Sequence, residues 1–111
     1  MAERFAANAR IHDGAGVIDM SGELDGGAGE QLQEAYAQAA AGAERILLNF
    51  AGVSYMNSTG IALVVELLAR ARSERRPVHA FGLSEHYRQI FEITRLVDFV
   101  TIHSDEASAV A

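Results

Sequence analysis

The chain has 111 residues, the size of one domain able to bury its own core, and is read as a single unit over 1–111. Half of it is hydrophobic and about a fifth charged, but no apolar run approaches the roughly 18 residues of a membrane span, and Met1-Ala2-Glu3-Arg4-Phe5 carries no signal-peptide core, so a cytoplasmic protein is expected. The absence of cysteine excludes disulfides and thiolate chemistry, and a net charge of −6 argues against nucleic acid, whose phosphates need a basic face.

Phe5 to Ile11 reads as a strand, and His12-Asp13-Gly14-Ala15-Gly16 as a turn built on an Asp-Gly pair. Val17 to Ser21 returns as a second strand, closing a hairpin, and Gly22-Glu23-Leu24-Asp25 follows as a loop. Asp25 is placed to cap a helix from about Gly26 to Ala41, with Leu32, Ala35, Tyr36 and Ala39 along one side and Gly42 as its stop. Three glycines (Gly26, Gly27, Gly29) weaken its first turn.

Arg45 to Phe50 is aliphatic and free of Gly and Pro, as a buried strand is. Beyond it Asn57, Ser58 and Thr59, all residue types that favour a helix N-cap, precede apolar residues at helical spacing. Ile61, Val64, Val65, Leu68 and Ala71 form one stripe expected to be buried. Leu63 and Leu67 fall off that stripe, beside Glu66 and Arg70: either neighbouring elements cover them, or they form an apolar strip bordering Ser58, suited to a partner helix or to a second copy in a homodimer.

The helix runs to about Ser73, and Arg75-Arg76-Pro77 closes the connection to a short strand, Val78 to Phe81. Ser84 caps a third helix with Tyr87, Ile90 and Phe91 inward; Phe99 to Ile102 is a last strand, and Ser104 or Asp105 starts a short terminal helix. This order implies an α/β fold. A mixed sheet is expected, mostly parallel with an N-terminal antiparallel hairpin, and with α-helices mainly on one face.

The four histidines show no i, i+4 pair, so no metal ligand set is expected. Ser58 is not in a G-x-S-x-G elbow, and there is no P-loop, so neither an enzyme nor a cofactor is indicated. A hydroxyl at Ser58 would instead be offered to solvent where free N–H groups and the positive end of a helix dipole gather, a suitable place for a phosphate or for docking a partner. Glu23, Leu24 and Asp25 should lie on the same sheet edge as Ser58.

Three segments resemble the STAS domain family, the bacterial anti-sigma factor antagonists and their relatives. Ser21-Gly22-Glu23-Leu24-Asp25 looks like the family's S-G-E-L-D loop, and Phe50 to Gly60 is similar to its signature D-F-S-x-V-x-F/Y-I/M-D-S-S/T-G. Leu83-Ser84 through Phe91-Glu92-Ile93-Thr94 is similar to a third family segment. The resemblance runs nearly end to end. It implies a regulatory switch: an anti-sigma factor with serine kinase activity phosphorylates Ser58, and the unphosphorylated form binds that partner and releases the sigma factor. Glu23, Leu24, Asp25, Asn57, Ser58, Thr59, Leu63 and Leu67 are then the candidate partner-binding residues. The alternative is an unphosphorylated STAS scaffold or adaptor subunit, stressosome- or transport-associated. Asn57 and Asn49 stand where the family has Asp, Ala51 where it has Ser, and Arg95 where a helix-ending Gly is common.

Overall fold

A computed structural model describes residues 3–111 of the chain; the reading of Met1 and Ala2 lies outside them. Strand β1 (Ala6–His12) pairs antiparallel with β2 (Ala15–Leu24). The turn between them is only Asp13 and Gly14, both left-handed with φ of 49° and 81°, as a two-residue hairpin matched to the strand twist requires. Ala15 and Gly16, expected in the turn, thus belong to β2. So do Gly22, Glu23 and Leu24, expected as a loop; they keep pairing in parallel with the next strand past two register shifts.

After β2 the glycines act as anticipated. Asp25 caps a short 3-10 turn, Gly26–Ala28, and α1 begins only at Gly29, running to Ala40. Gly42, at φ 78°, stops it. Strand β3 spans Ile46–Met56 and leads through Asn57 into α2 (Ser58–Ser73). Strand β4 (Val78–Phe81), α3 (Glu85–Ile93), a 3-10 turn at Leu96–Asp98, β5 (Thr101–His103) and α4 (Glu106–Val110) complete the chain. Phe99 and Val100, expected to open the last strand, precede it. The sheet order is β1-β2-β3-β4-β5, with every pairing after the first parallel.

Alternation along the strands divides the core. Ile18, Met20, Ile46, Leu48, Phe50, Val78 and Ala80 pack beneath α1, α2 and α3. The opposite face presents Ala15, Val17, Leu47 and Phe81 to Ala109 and Val110 of α4. Three helices therefore share one face, and the terminal helix covers part of the other.

A polar network ties α4 to the sheet. The Arg10 guanidinium donates to both carboxylate oxygens of Glu106, at 2.7 Å each, and to Asp19 at 2.6 and 3.1 Å. Asn49 donates to the same Asp19 at 2.8 Å and accepts from the Ala51 N–H at 2.9 Å. A carboxylate at position 49 would instead oppose Asp19, so asparagine is the residue this arrangement wants. Arg10, and secondarily His12, hold the Glu106 carboxyl down at about 2. Arg95 has φ 64°, the left-handed geometry that glycine adopts at least cost.

Candidate functional site

The segment around Ser58 is built where β2 and β3 end side by side. Glu23 pairs with Tyr55 and Leu24 with Met56. The next N–H, that of Asn57, donates to the Leu24 carbonyl at 3.4 Å. Past Asn49 no β4 residue pairs with β3, so its last residues need other partners. One comes from α3: the Met56 N–H donates to the Tyr87 hydroxyl at 2.8 Å, and that hydroxyl donates to the Met56 carbonyl at 3.4 Å. Tyr87 thereby fixes the backbone two residues before Ser58.

Asn57 is the helix cap. Its backbone is extended (φ −96°, ψ 179°), its Oδ1 accepts from the Gly60 N–H at 2.8 Å, and its carbonyl accepts the first helical hydrogen bond, from Ile61, at 2.9 Å. Ser58 is therefore the first helical residue and not the cap, a role its residue type also permitted. Asparagine ranks with or above serine as an N-cap, so the order Asn-Ser-Thr already carried this signal. Both Ser58 and Thr59 are exposed. Their N–H groups have no acceptor within a helix that begins at Ser58.

The helix start is wedged against the end of β2. A Cβ on Gly60 would lie 1.8 Å from the Leu24 carbonyl oxygen, and one on Gly26 would lie 3.0 Å from the Thr59 methyl group. The structure thus brings Glu23, Leu24 and Asp25 to the edge that carries Asn57, Ser58 and Thr59. Within that edge the roles divide. Leu24 is buried, Asp25 accepts from the Gly27 N–H at 2.9 Å, and Glu23 is half-buried. A hollow lined by Glu3, Glu23 and Asp25, with Arg4 as its one cation, opens beside them.

Along α2 the burial differs from the expected stripe. Gly60, Val64, Leu67, Leu68 and Ala71 face the core. Leu67 is only 3% exposed, whereas Val65, expected inside, is 43% exposed. Leu63 is half-buried and packs towards α1, where a Cβ on Gly29 would meet it at 3.6 Å. The cause is α1, which flanks α2 and covers the side bearing Leu63 and Leu67. The exposed side of α2 is instead Ser58, Ala62, Val65, Ala69 and Arg72.

Among the described residues no group of three or more histidine and acidic side chains is placed to hold a metal ion. None of their helices is long and apolar enough to cross a membrane. Two of the histidines do meet: His79 on β4 and His103 on β5 approach within 2.9 Å, Nδ1 to Nε2. Burial, and then the neighbouring His103, lower the His79 pKa.

Comparison with known proteins follows the same lines. The STAS domain family model matches residues 6–109. The anti-sigma-B factor antagonist of Staphylococcus epidermidis is 32% identical over 93 residues, 83% of this chain and 86% of that protein. The protein of the same name from Staphylococcus aureus (strain NCTC 8325 / PS 47) is 32% identical over 87 residues, 78% of this chain and 81% of its own. In fold, the chain is similar to an anti-sigma factor antagonist from Mycobacterium paratuberculosis, with a TM-score of 0.81 over 96% of this chain and 92% of that one at 18% identity. The phosphorylated form of the Bacillus cell fate determinant SpoIIAA gives 0.70, over 93% and 96%, at 24% identity.

Proposed function

The chain belongs to the STAS domain family, and from that premise we propose that it is an anti-sigma factor antagonist, a regulatory protein that works by binding. Its partner is an anti-sigma factor with serine kinase activity, and phosphorylation of Ser58 switches the complex off. The observation that carries this reading is the division of labour at the start of α2. Asn57 takes the cap, so the Ser58 hydroxyl stands exposed with no structural duty. The names of the Staphylococcus relatives support an anti-sigma factor as the partner class; the kinase activity is part of the proposal.

The physical account of the switch is local. A phosphate adds about −1.5 to −2 charges, and the free N–H groups of Ser58 and Thr59 and the helix dipole would receive it without moving the backbone. A surface fitted around a hydroxyl then meets bulk and charge beside Glu23 and Asp25 and no longer accepts the partner. The contact surface is the edge Glu23, Asp25, Asn57, Ser58 and Thr59, with Leu63 at its margin; Leu24, named with them from the sequence, is fully buried and lies beneath that surface. The buried Leu67 supports that surface from within.

A phosphorylation-independent scaffold or adaptor is the second reading, favoured by Asn57, which carries no charge and cannot serve as a base. The test is binding of the recombinant anti-sigma factor of the native host to the wild type, Ser58→Ala and Ser58→Asp, by calorimetry. An antagonist keeps affinity in Ser58→Ala and loses it in Ser58→Asp while the melting temperature holds. Equal binding by all three, or a collapse of stability in Ser58→Asp, refutes the switch.

A further inference from the structure

The far end of α2 carries a surface that the Ser58 switch does not use. There, a recess of about 280 Å³ opens between the helix C-terminus, the link to β4 and the 3-10 turn before β5. Its floor is apolar, formed by the buried Leu68 and Val78 and by Phe99, a residue 48% exposed. Its rim is basic: Arg72, Arg75 and Arg76, against the single acid Asp98. That acid is engaged by Arg95, whose Nε donates to it at 3.1 Å, and Arg76 is engaged by Glu74 and by the Ala43 carbonyl.

Arg72 and Arg75 have no carboxylate partner among the described residues. The Arg72 guanidinium is held over the Phe99 ring, 5.1 Å from its centroid. Arg75 is the more telling. Its φ is 59°, left-handed geometry just past a helix end, where glycine is the residue of least strain. Its N–H closes the turn onto Arg72, but that contact requires no side chain. A strained arginine with an unpartnered guanidinium, beside an exposed aromatic, in a chain of net charge −6, is an outlier that helix-end electrostatics alone do not require.

We propose that this recess is a second docking surface, taking an acidic peptide segment of a partner protein that carries an apolar anchor residue. The carboxylates would face Arg72 and Arg75 and the anchor would rest on Phe99. The helix spans 16 residues from Ser58 to Ser73, so its two ends lie about 22 Å apart at 1.5 Å per residue step. The Debye length at physiological ionic strength is about 8 Å. A phosphate at Ser58 therefore leaves this surface unaffected, and the domain can hold one partner constantly while the other is switched.

The probe is a fluorescently labelled peptide of aspartates and glutamates around one central phenylalanine, set against its amide analogue of Asn and Gln and against single-stranded DNA of equal length. Fluorescence anisotropy should show binding of the acidic peptide only, weakening as salt is raised. Arg75→Gly is the decisive variant because it relieves backbone strain. It should hold or raise the melting temperature while weakening the peptide about fivefold, the reach of one exposed charge contact. Ser58→Asp should leave the affinity unchanged. Equal binding of the amide peptide, tighter binding of DNA, or an Arg75→Gly affinity equal to wild type would each overturn the proposal.

Discussion

Asn57 joins fold and function in one side chain, and two substitutions there separate them. Asn57→Ala deletes the acceptor for the Gly60 N–H, now satisfied at 2.8 Å. Loss of an N-cap costs about 0.5–2 kcal/mol. Gly60 is buried against Leu24, where water cannot easily replace the lost acceptor, which points to the upper half of that range. For 111 residues, an unfolding entropy of about 2.1 cal/mol/K per residue turns 1 kcal/mol into roughly 4 °C. The expected fall in Tm is therefore about 4–8 °C. Asn57→Asp keeps the acceptor and adds a negative charge at the positive end of α2, worth about 0.3–1 kcal/mol. Glu23 and Asp25 on the same edge take back part of that gain. Its Tm should rise by a few degrees at most, about 1–4 °C, and salt should erase the rise. The same variant reports on the switch through radiolabel or mass-shift incorporation at Ser58 by an anti-sigma kinase. If an acid here aligns the serine or accepts its proton, one charge-assisted contact of about 1.5–3 kcal/mol speeds incorporation tenfold or more. An unchanged Tm in Asn57→Ala would refute the capping role. Equal, fast incorporation into both forms would show that asparagine does the work of aspartate.

Gly60→Ala should be among the most damaging single-methyl changes in the chain, because its Cβ would lie 1.8 Å from the Leu24 oxygen and the helix start must move. A Tm drop of less than about 4 °C in a melting curve would show that the contact is loose. Leu67→Ala should cost about 2–5 kcal/mol as a core deletion, whereas Val65→Glu should change stability by no more than about 0.5 kcal/mol; the reverse order would restore Leu67 to the surface. Stability should fall with acid in two stages. Below its ordinary 6.5 His79 resists protonation in the fold, so stability is lost as pH drops past that value. Glu106, lowered from 4.5 to about 2, adds stability that is present above 4.5 and lost as pH falls towards 2. Arg10→Gln should shrink the second stage and spare the first in pH-dependent unfolding; removal of neither or both would disprove the assignment.

The elements themselves were legible, and so was the topology, because period and connection length constrain both. The misjudged positions share a cause. Ala15, Gly16 and Gly22 to Leu24 look like loop by composition, yet cross-strand pairing with β1 and β3 makes them strand, a tertiary effect that no local propensity reports. Leu67 and Val65 exchanged roles because a helix pattern gives a face but not which neighbour covers it. Here α1 lies to the Leu63 side, so the buried arc is rotated away from Val65. The Tyr87 hydroxyl on Met56 and the carboxylate chain from Glu106 through Arg10 to Asp19 join residues far apart in sequence, and only the fold brings them together. Arg95, by contrast, was legible: it stands where the family commonly ends a helix with Gly, and its φ of 64° is the left-handed geometry that such a glycine adopts.

Two departures from the family signature, Asn49 and Asn57, have different physical standing. At 49 the amide is required locally. It donates to Asp19, whose carboxyl Arg10 and Asn49 together hold below the ordinary range, and a second carboxylate there would repel the first. That exchange belongs to the sheet and leaves the edge at Ser58 untouched. At 57 the amide and the acid rank alike as caps, and the acid adds only its small charge gain at the helix start, so stability gives no reason to prefer the amide. On the proposed switch, the choice falls to whatever approaches Ser58 from outside. A rigid start to α2, pinned by Gly60 on Leu24 and by Tyr87 on Met56, means that such a partner meets a fixed surface whose charge alone is adjustable. The identity of residue 57 then sets how that surface is read, and not whether it forms.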